Sequence, residues 1–285
     1  MVAKRILYWL RRLFQLWGVY ARMDFLLMTR DFRTFATWAL SDTVLNFASI
    51  TGMLLLAQRF GGIGGWTVAQ VFFLLGYSAL VDGVIAIFFS YNVAFLSRRL
   101  GRGQFDHTLI QPVPIPLALL TEGFSPMFGI PTTIPGICLL YYSLSALHLV
   151  TSVGWWLWFG INLLASVAVV MAFQVGWGSL AFRAPRAAEE LSSSTMQLIN
   201  QLKSYPLDGI GGWLMGGLLS ALPLGFVTWL PSLALLGMQH SPFALLQTPL
   251  AGLLFMAIAI RVFQKGLRYY ERIGSQRYSQ FGHRC

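Results

Sequence analysis

Apolar residues run along this chain in blocks far longer than a soluble helix can use. Residues 35–58 form an apolar run with one charge, Asp42, and residues 68–96 form another with one charge, Asp82. Residues 125–182 carry no Asp, Glu, Lys or Arg, and neither do residues 209–260. A helix needs roughly 20 apolar residues to cross a bilayer core, so each of these two longer runs holds two spans. The first divides at HLVTSVG, residues 148–154. The second divides across residues 231–249, where Pro231, Gly237, Pro242 and Pro249 interrupt the pattern. The pattern therefore predicts an all-α integral membrane protein with six transmembrane helices.

Ahead of the first span the period changes. At about 100° per residue, Ile6, Leu10, Leu13 and Trp17 share one helical face, while Lys4, Arg5, Arg11, Arg12 and Arg22 fall on the other. A basic amphipathic helix of this kind lies in a membrane interface or packs on the protein's own cytoplasmic side, and both fit. Arg11 and Arg12 break any clean apolar core for a cleavable signal, so the segment is expected to be retained. Residues 1–33 then form a cytoplasmic interface segment, residues 34–268 the six-span domain, and residues 269–285 a cytoplasmic tail.

Between the spans, RFGGIGGWT (59–67) reads as a glycine-rich outer turn. The stretch WLPSLALLGMQHSPFALLQTP (229–249) is too apolar for a free loop and too broken for one helix. Short re-entrant helices between spans five and six, their backbone shielded by protein, are expected there.

Composition sharpens this picture. Of the residues, 56% are hydrophobic and 11% charged, against about a quarter charged in a soluble domain. The net charge of +10 could suggest nucleic acid, but its placement says otherwise. With six spans, all of the 20 Lys and Arg except Arg59 fall on one side, Lys203 being counted among the loop charges. That bias is a topology signal placing both termini in the cytoplasm, and it excludes a nucleic-acid stripe. Cys138 and Cys285 offer neither metal spacing nor a disulfide framework.

Catalytic motifs are missing. The chain has no G-x-x-x-x-G-K-[ST] phosphate loop, no H-E-x-x-H and no C-x-x-C. The four histidines, His107, His148, His240 and His283, are scattered over separate loops and the tail. Ser192, Ser193, Ser194 and Thr195 read as boundary polar residues, so no catalytic, cofactor or metal site is expected.

What stands out is polarity inside the spans. Asp42 and Asn46 are four apart on one face of the first span. Asp82 lies about 14 residues into the second, near mid-bilayer depth at about 1.5 Å per residue. A carboxylate there costs at least about 2.5 kcal/mol on insertion scales. It must face protein or a water-filled path, serving either a substrate or proton route or a helix-to-helix hydrogen bond. Glu122, near the cytoplasmic end of its span, reads as the partner of Arg98 or Arg99.

One charged, proline-studded interlude, GRGQFDHTLIQPVPIP (101–116), separates spans two and three. Its Gly103–Pro112 portion resembles the G-x-[LF]-D-x-x-L-x-x-P loop of type-2 ATP-binding-cassette (ABC) exporter permeases, in the bacterial subfamily of small six-span subunits. RFGGIGGWT, YPLDGI (205–210), PLGFVTWLPSLALL and GLRYYERIGS (266–275) resemble further parts of that family in the right order. The resemblance implies that the loop 98–116 carries a coupling helix docked on a separate ATPase subunit. Arg99, Gly103, Phe105, Asp106, Leu109 and Pro112 would form the coupling element. On a helix over 98–110, Phe105 and Leu109 share a face four residues apart, and Pro112 ends it. The other reading is a solvated loop held by lipid head groups.

The resemblance also implies an inner-membrane complex of two permease chains, the second a related non-identical subunit, with an ATPase dimer that carries ATP and Mg. Asp42, Asn46, Asp82 and Glu122 would line the path or the subunit interface. Pro126, Pro131 and Pro135 in span three depart from the pattern and predict a kinked or partly broken helix. Two other classes compete: an ion-coupled secondary transporter using Asp42 and Asp82, and a membrane-embedded enzyme or assembly factor. The halves show no internal repeat of the kind such transporters carry, and too few polar residues converge for catalysis.

Overall fold

The computed structural model describes residues 2–89, 95–208, 216–217, 222–239 and 241–274, with side chains from residue 8 onward. His240, His283, Cys285, most of the tail, the end of YPLDGI and much of the predicted fifth span lie outside them. The described residues are helical apart from turns and one isolated bridge between Ile63 and Trp66.

The helices are α1 (Val2–Arg30), α2 (Phe32–Phe60), α3 (Val68–Phe89), α4 (Leu96–Gly101), α5 (Phe105–Ile110), α6 (Ile115–Thr121), α7 (Pro126–Ala146), α8 (Val153–Ser179) and α9 (Pro185–Leu202). A π-helical turn, Gly225–Trp229, leads into α10 (Leu230–Leu235), and α11 (Ala244–Ile273) follows. Five helices are long and apolar enough to cross a membrane: α2, α3, α7, α8 extended to Phe182, and α11. The break expected at 148–154 falls between α7 and α8, where the Ser152 hydroxyl accepts from the Trp155 N–H at 3.2 Å and caps α8.

Helices α3 and α7 form the tightest pair. They run antiparallel, with Gly76 against Leu140 and Gly136, and Gly83 against Thr133. A Cβ on Gly76 would sit 2.9 Å from the Leu140 amide nitrogen. Without a hydrophobic drive between helices in lipid, such close backbone approach is what holds a membrane pair together. Helix α7 is not broken by its prolines: it runs unbroken through Pro131 and Pro135, and Pro126 occupies its first turn, where a missing N–H is harmless.

Pro249, expected to lie in the break of the final apolar run, instead sits inside α11. Proline there takes away the N–H that would reach the Leu245 carbonyl four residues back. The Asn162 side-chain amide of α8 donates to that carbonyl at 3.2 Å. The helix continues because a neighbour re-satisfies the freed group. The break itself is shorter than expected and falls between α10 and α11, Pro231 also being helical.

One expectation from the charge pattern is overturned. Ala188 packs in a cluster with Leu96, Leu100 and Phe182, beyond the C-terminal end of α3. Ile199 is in the main membrane core. Lys203 pairs with Asp82, within α3. Asp208 receives the indole N–H of Trp66, just before α3, and of Trp229 at 2.7 Å. Between Ala188 and Asp208 the chain therefore travels the length of α3. Lys203 is no loop charge: its side chain is 5% exposed and sits among the spans. The polar composition of α9 hid this passage, because hydropathy reports contact with lipid whereas α9 runs against α4 and α8.

Candidate functional site

Two regions gather the chemistry-bearing side chains, one among the spans and one at the end of the bundle where α4 and α5 lie. In the first, a cavity of about 320 Å³ is lined by Asp42, Asn46 and Ser49 of α2, Ser78 and Asp82 of α3, Thr132 of α7, and Asn200 and Lys203 at the end of α9. Its floor is apolar, with Ile50, Leu75, Ala79 and Ala86.

The charges in this cavity are arranged unequally. The Lys203 ammonium donates to the Asp82 carboxylate and, at 2.9 Å, to the Asn200 side-chain carbonyl. Thr228 in the π-helical turn donates to the Lys203 backbone carbonyl, tying the ion pair to the segment before α10. Asp42 has softer company. It accepts from the Asn46 amide at 3.0 Å and from the Thr132 hydroxyl at 3.2 Å. Asp42, Asn46 and Asp82, singled out in the sequence, thus come together. Asp82 lies about 21 Å along α3 from Val68 and about 10 Å from Phe89 at 1.5 Å per residue, so the cavity lies nearer the end of α3 that leads to α4 than the end at the glycine-rich turn.

Glu122 stands apart from them. It accepts from Arg99 at 3.0 Å, and the same guanidinium reaches the Thr108 hydroxyl at 3.0 Å. Arg99 is therefore the partner, while Arg98 pairs with Glu189 of α9 at 2.9 Å. Both side chains of the Arg99–Glu122 pair are only 15% exposed. The bond staples α4, α5 and the end of α6.

The charged interlude is two short helices, α4 and α5, rather than the single helix expected over 98–110. Gly103 separates them at φ +70°, a left-handed conformation that costs a side chain energy and glycine none. Phe105, which the resemblance would present to a partner, is fully buried. Its ring meets Phe182, Phe263 and Tyr270 edge-on at 5.7, 6.4 and 6.1 Å. Leu109 packs half-buried on the same cluster. Asp106 accepts from the Tyr270 hydroxyl. The loop motif thus clasps the end of α11, and two of the quoted segments, GQFDHTLIQP and GLRYYERIGS, touch each other. The loop's outward edge is made by Arg102, His107, Ile110, Gln111 and Pro112, of which Pro112 alone belongs to the expected coupling element, with Ile110 80% exposed.

Three fastening residues carried no visible signal in the sequence. Asp24 of α1 accepts from the Met127 N–H at 2.8 Å and the Ser125 hydroxyl at 3.2 Å, capping α7 from another helix. Burial pushes its carboxyl above the ordinary range, against the lowering effect of those two donors. Trp17 donates to the Leu120 carbonyl at 3.1 Å and stacks on Phe124 at 5.4 Å. Asp208 bonds the two tryptophans named above. A capping residue far away in sequence cannot be read by periodicity.

Among the described residues no three His, Cys, Asp or Glu gather as metal ligands. The family model described as ABC-2 family transporter protein matches residues 24–274, nearly the whole chain. The chain belongs to the ABC-2 transporter family. It is a multi-pass membrane protein, consistent with the ABC-2 permease resemblance of its loops. No curated protein and no solved structure gave a match. The ABC-2 assignment makes the chain the membrane component of an ABC transporter, whose partner is an ABC ATPase.

Proposed function

We propose that this ABC-2 permease exports an amphiphilic or xenobiotic compound, drawing energy from separate ATPase subunits that dock on the loop between α3 and α7. The observation that carries the reading is the construction of that loop. Its motif residues are spent on internal fastening: Phe105 in the aromatic cluster, Asp106 on Tyr270, Arg99 on Glu122. A rigidly mounted loop transmits a push from outside to α11 and α7, whereas a loosely solvated one would absorb it.

The docking edge is then Ile110 with His107 and Gln111, redrawn from the Phe105 face. Ile110 is a large apolar side chain that water does not favour, and it suits a notch on a partner. The passage of α9 beside α8 supplies the fifth crossing, giving six and returning both termini to the cytoplasm. The exit near α10 and its link to α11 forms the re-entrant region. The second permease chain is a related subunit, and the complex sits in the bacterial inner membrane.

The cavity lined by Asp42, Asn46, Asp82 and Lys203 lies on the path. The secondary-transporter reading loses ground because Asp82 is tied to Lys203. The test is ATP hydrolysis by the purified permease–ATPase complex with a panel of amphiphiles. Stimulation that disappears in Ile110→Asp, with the permease still inserted, supports the reading. Uncoupled hydrolysis unaffected by every amphiphile and by Ile110→Asp would remove it.

A further inference from the structure

A groove of about 270 Å³ runs between α8 and α11, with Gly176, Trp177, Leu180, Phe255, Ile258 and Val262 in its walls and every lining residue apolar. Leu180 and Ile258 are 40% and 48% exposed, so the groove opens away from the bundle. Both helices are long and apolar enough to cross a membrane. A void beside such walls forfeits dispersion contacts. In a bilayer, an acyl chain is what fills it.

One end of the groove is strongly basic. At about 100° per residue, Ile258, Val262, Lys265 and Tyr269 form one stripe along α11. Lys265 lies about 4.5 Å beyond Val262 at 1.5 Å per residue. Arg261, Lys265, Arg268 and Arg272 are all exposed and fall within about 60° of one another, bordering that stripe. From the α8 side Arg183, just past Leu180, lays its guanidinium over the Tyr269 ring at 5.2 Å. Stacking engages the flat face of the guanidinium and leaves its N–H edge for an oxyanion. The three ion pairs among the described residues use neither Arg183 nor Lys265. Glu271, the sole acidic residue of α11, lies about 120° round the helix from Lys265.

We infer that this groove holds an anionic phospholipid as a resident lipid, one acyl chain lying between α8 and α11 and the phosphate held by Arg183 and Lys265. The site is separate from the cavity at Asp42 and shares no lining residue with it, so the inference concerns a bound lipid and not the transported compound. Charge complementarity favours a lipid over a second protein chain. An apolar wall that runs into a basic end matches an amphiphile with an anionic head, and each Lys or Arg near the membrane surface gives anionic lipid about a fivefold preference. A lipid there joins the end of α8 to the end of α11, beside the cluster of Phe105, Phe182 and Tyr270 on which the α4–α5 loop is mounted.

The test uses the full chain in nanodiscs of dioleoyl phosphatidylcholine with a minor share of dioleoyl phosphatidylglycerol, so that the two lipids differ only in the head. Native mass spectrometry counts the lipids that stay on the released protein. Retention of phosphatidylglycerol over phosphatidylcholine is the expected result, with the preference falling roughly tenfold or more in Arg183→Gln combined with Lys265→Gln. Arg59→Gln, exposed beside the glycine-rich turn, should leave the preference unchanged. Gly176→Leu fills the groove while both charges stay in place. A Cβ at Gly176 meets nothing within 4 Å, so this variant should fold and lose the lipid. Equal retention of the two lipids, an unchanged preference in the double variant, an equal fall in Arg59→Gln, or full retention in Gly176→Leu would each overturn the inference. A photo-crosslinking amino acid at Trp177 should capture lipid in intact membranes, and capture of a protein chain there would overturn it as well.

Discussion

The Tyr270 hydroxyl donates to the Asp106 carboxylate across 164 positions of sequence. That bond joins the loop after α3 to the last turns of α11, and the Phe105 ring lies beside it in the same cluster. The loop is thus part of the folded body of the permease.

Phe105→Ala should therefore damage folding rather than only coupling. Emptying a fully buried aromatic site costs about 3–5 kcal/mol, so the variant should give little monodisperse protein in detergent. Ile110→Ala, at an 80% exposed site, should purify as the wild type does. Size-exclusion profiles of the two side by side check this. Equal, normal profiles would mean that the aromatic cluster does not hold the loop.

The periodicity of the sequence could not foresee that result. A short helix with Phe105 and Leu109 on one face must cover them, but nothing in six residues says whether the cover is another protein or its own α8 and α11. The gross architecture was legible because lipid imposes length and hydropathy: α2, α3, α7 and α8 fall on the predicted runs, as does the break at 148–154. The Arg99–Glu122 pair was legible because the two residues lie at the same end of successive spans. Lys203 was not. Positive charge on a loop and positive charge paired inside a bundle look alike until the partner, Asp82, is placed. Asp24 and Asn162 act on helices distant in sequence, where spacing carries no information.

Breaking the Lys203–Asp82 pair should be costly on one side and repairable. Asp82→Asn leaves a buried ammonium without its counter-charge, a loss on the order of 3 kcal/mol, the low end for such pairs because Asp82 keeps about a third of its surface open. Asp82→Asn with Lys203→Met removes both charges and should recover most of the lost thermal stability. A fluorescence-based melting series in detergent decides it. No recovery in the double variant would show that the pair is not the source of the loss.

Asp24 gives a pH-dependent prediction. Its carboxyl pKa is raised above the ordinary 3.8 by burial. A raised folded-state value means that the unfolded chain ionises first as pH climbs, so stability from this group is greatest in acid and declines through the interval up to the folded pKa. Relative to Asp24→Asn, the wild type should gain melting temperature as pH is lowered from 7 toward 4. Asp24→Ala, which loses the cap on α7, should cost about 0.5–2 kcal/mol, most at low pH. A wild-type advantage that instead grew with rising pH would reverse the assignment.

The central claim is that an ATPase grips the outward edge of the α4–α5 loop. A photo-crosslinking amino acid at Ile110, illuminated in intact membranes of cells that also express a candidate partner ABC ATPase, tests it most directly. An adduct of the permease with the ATPase subunit, absent when the crosslinker is moved to lipid-facing Leu45, is the predicted result. Adducts with lipid alone at position 110, in membranes where the ATPase is present and the permease is folded, would contradict it.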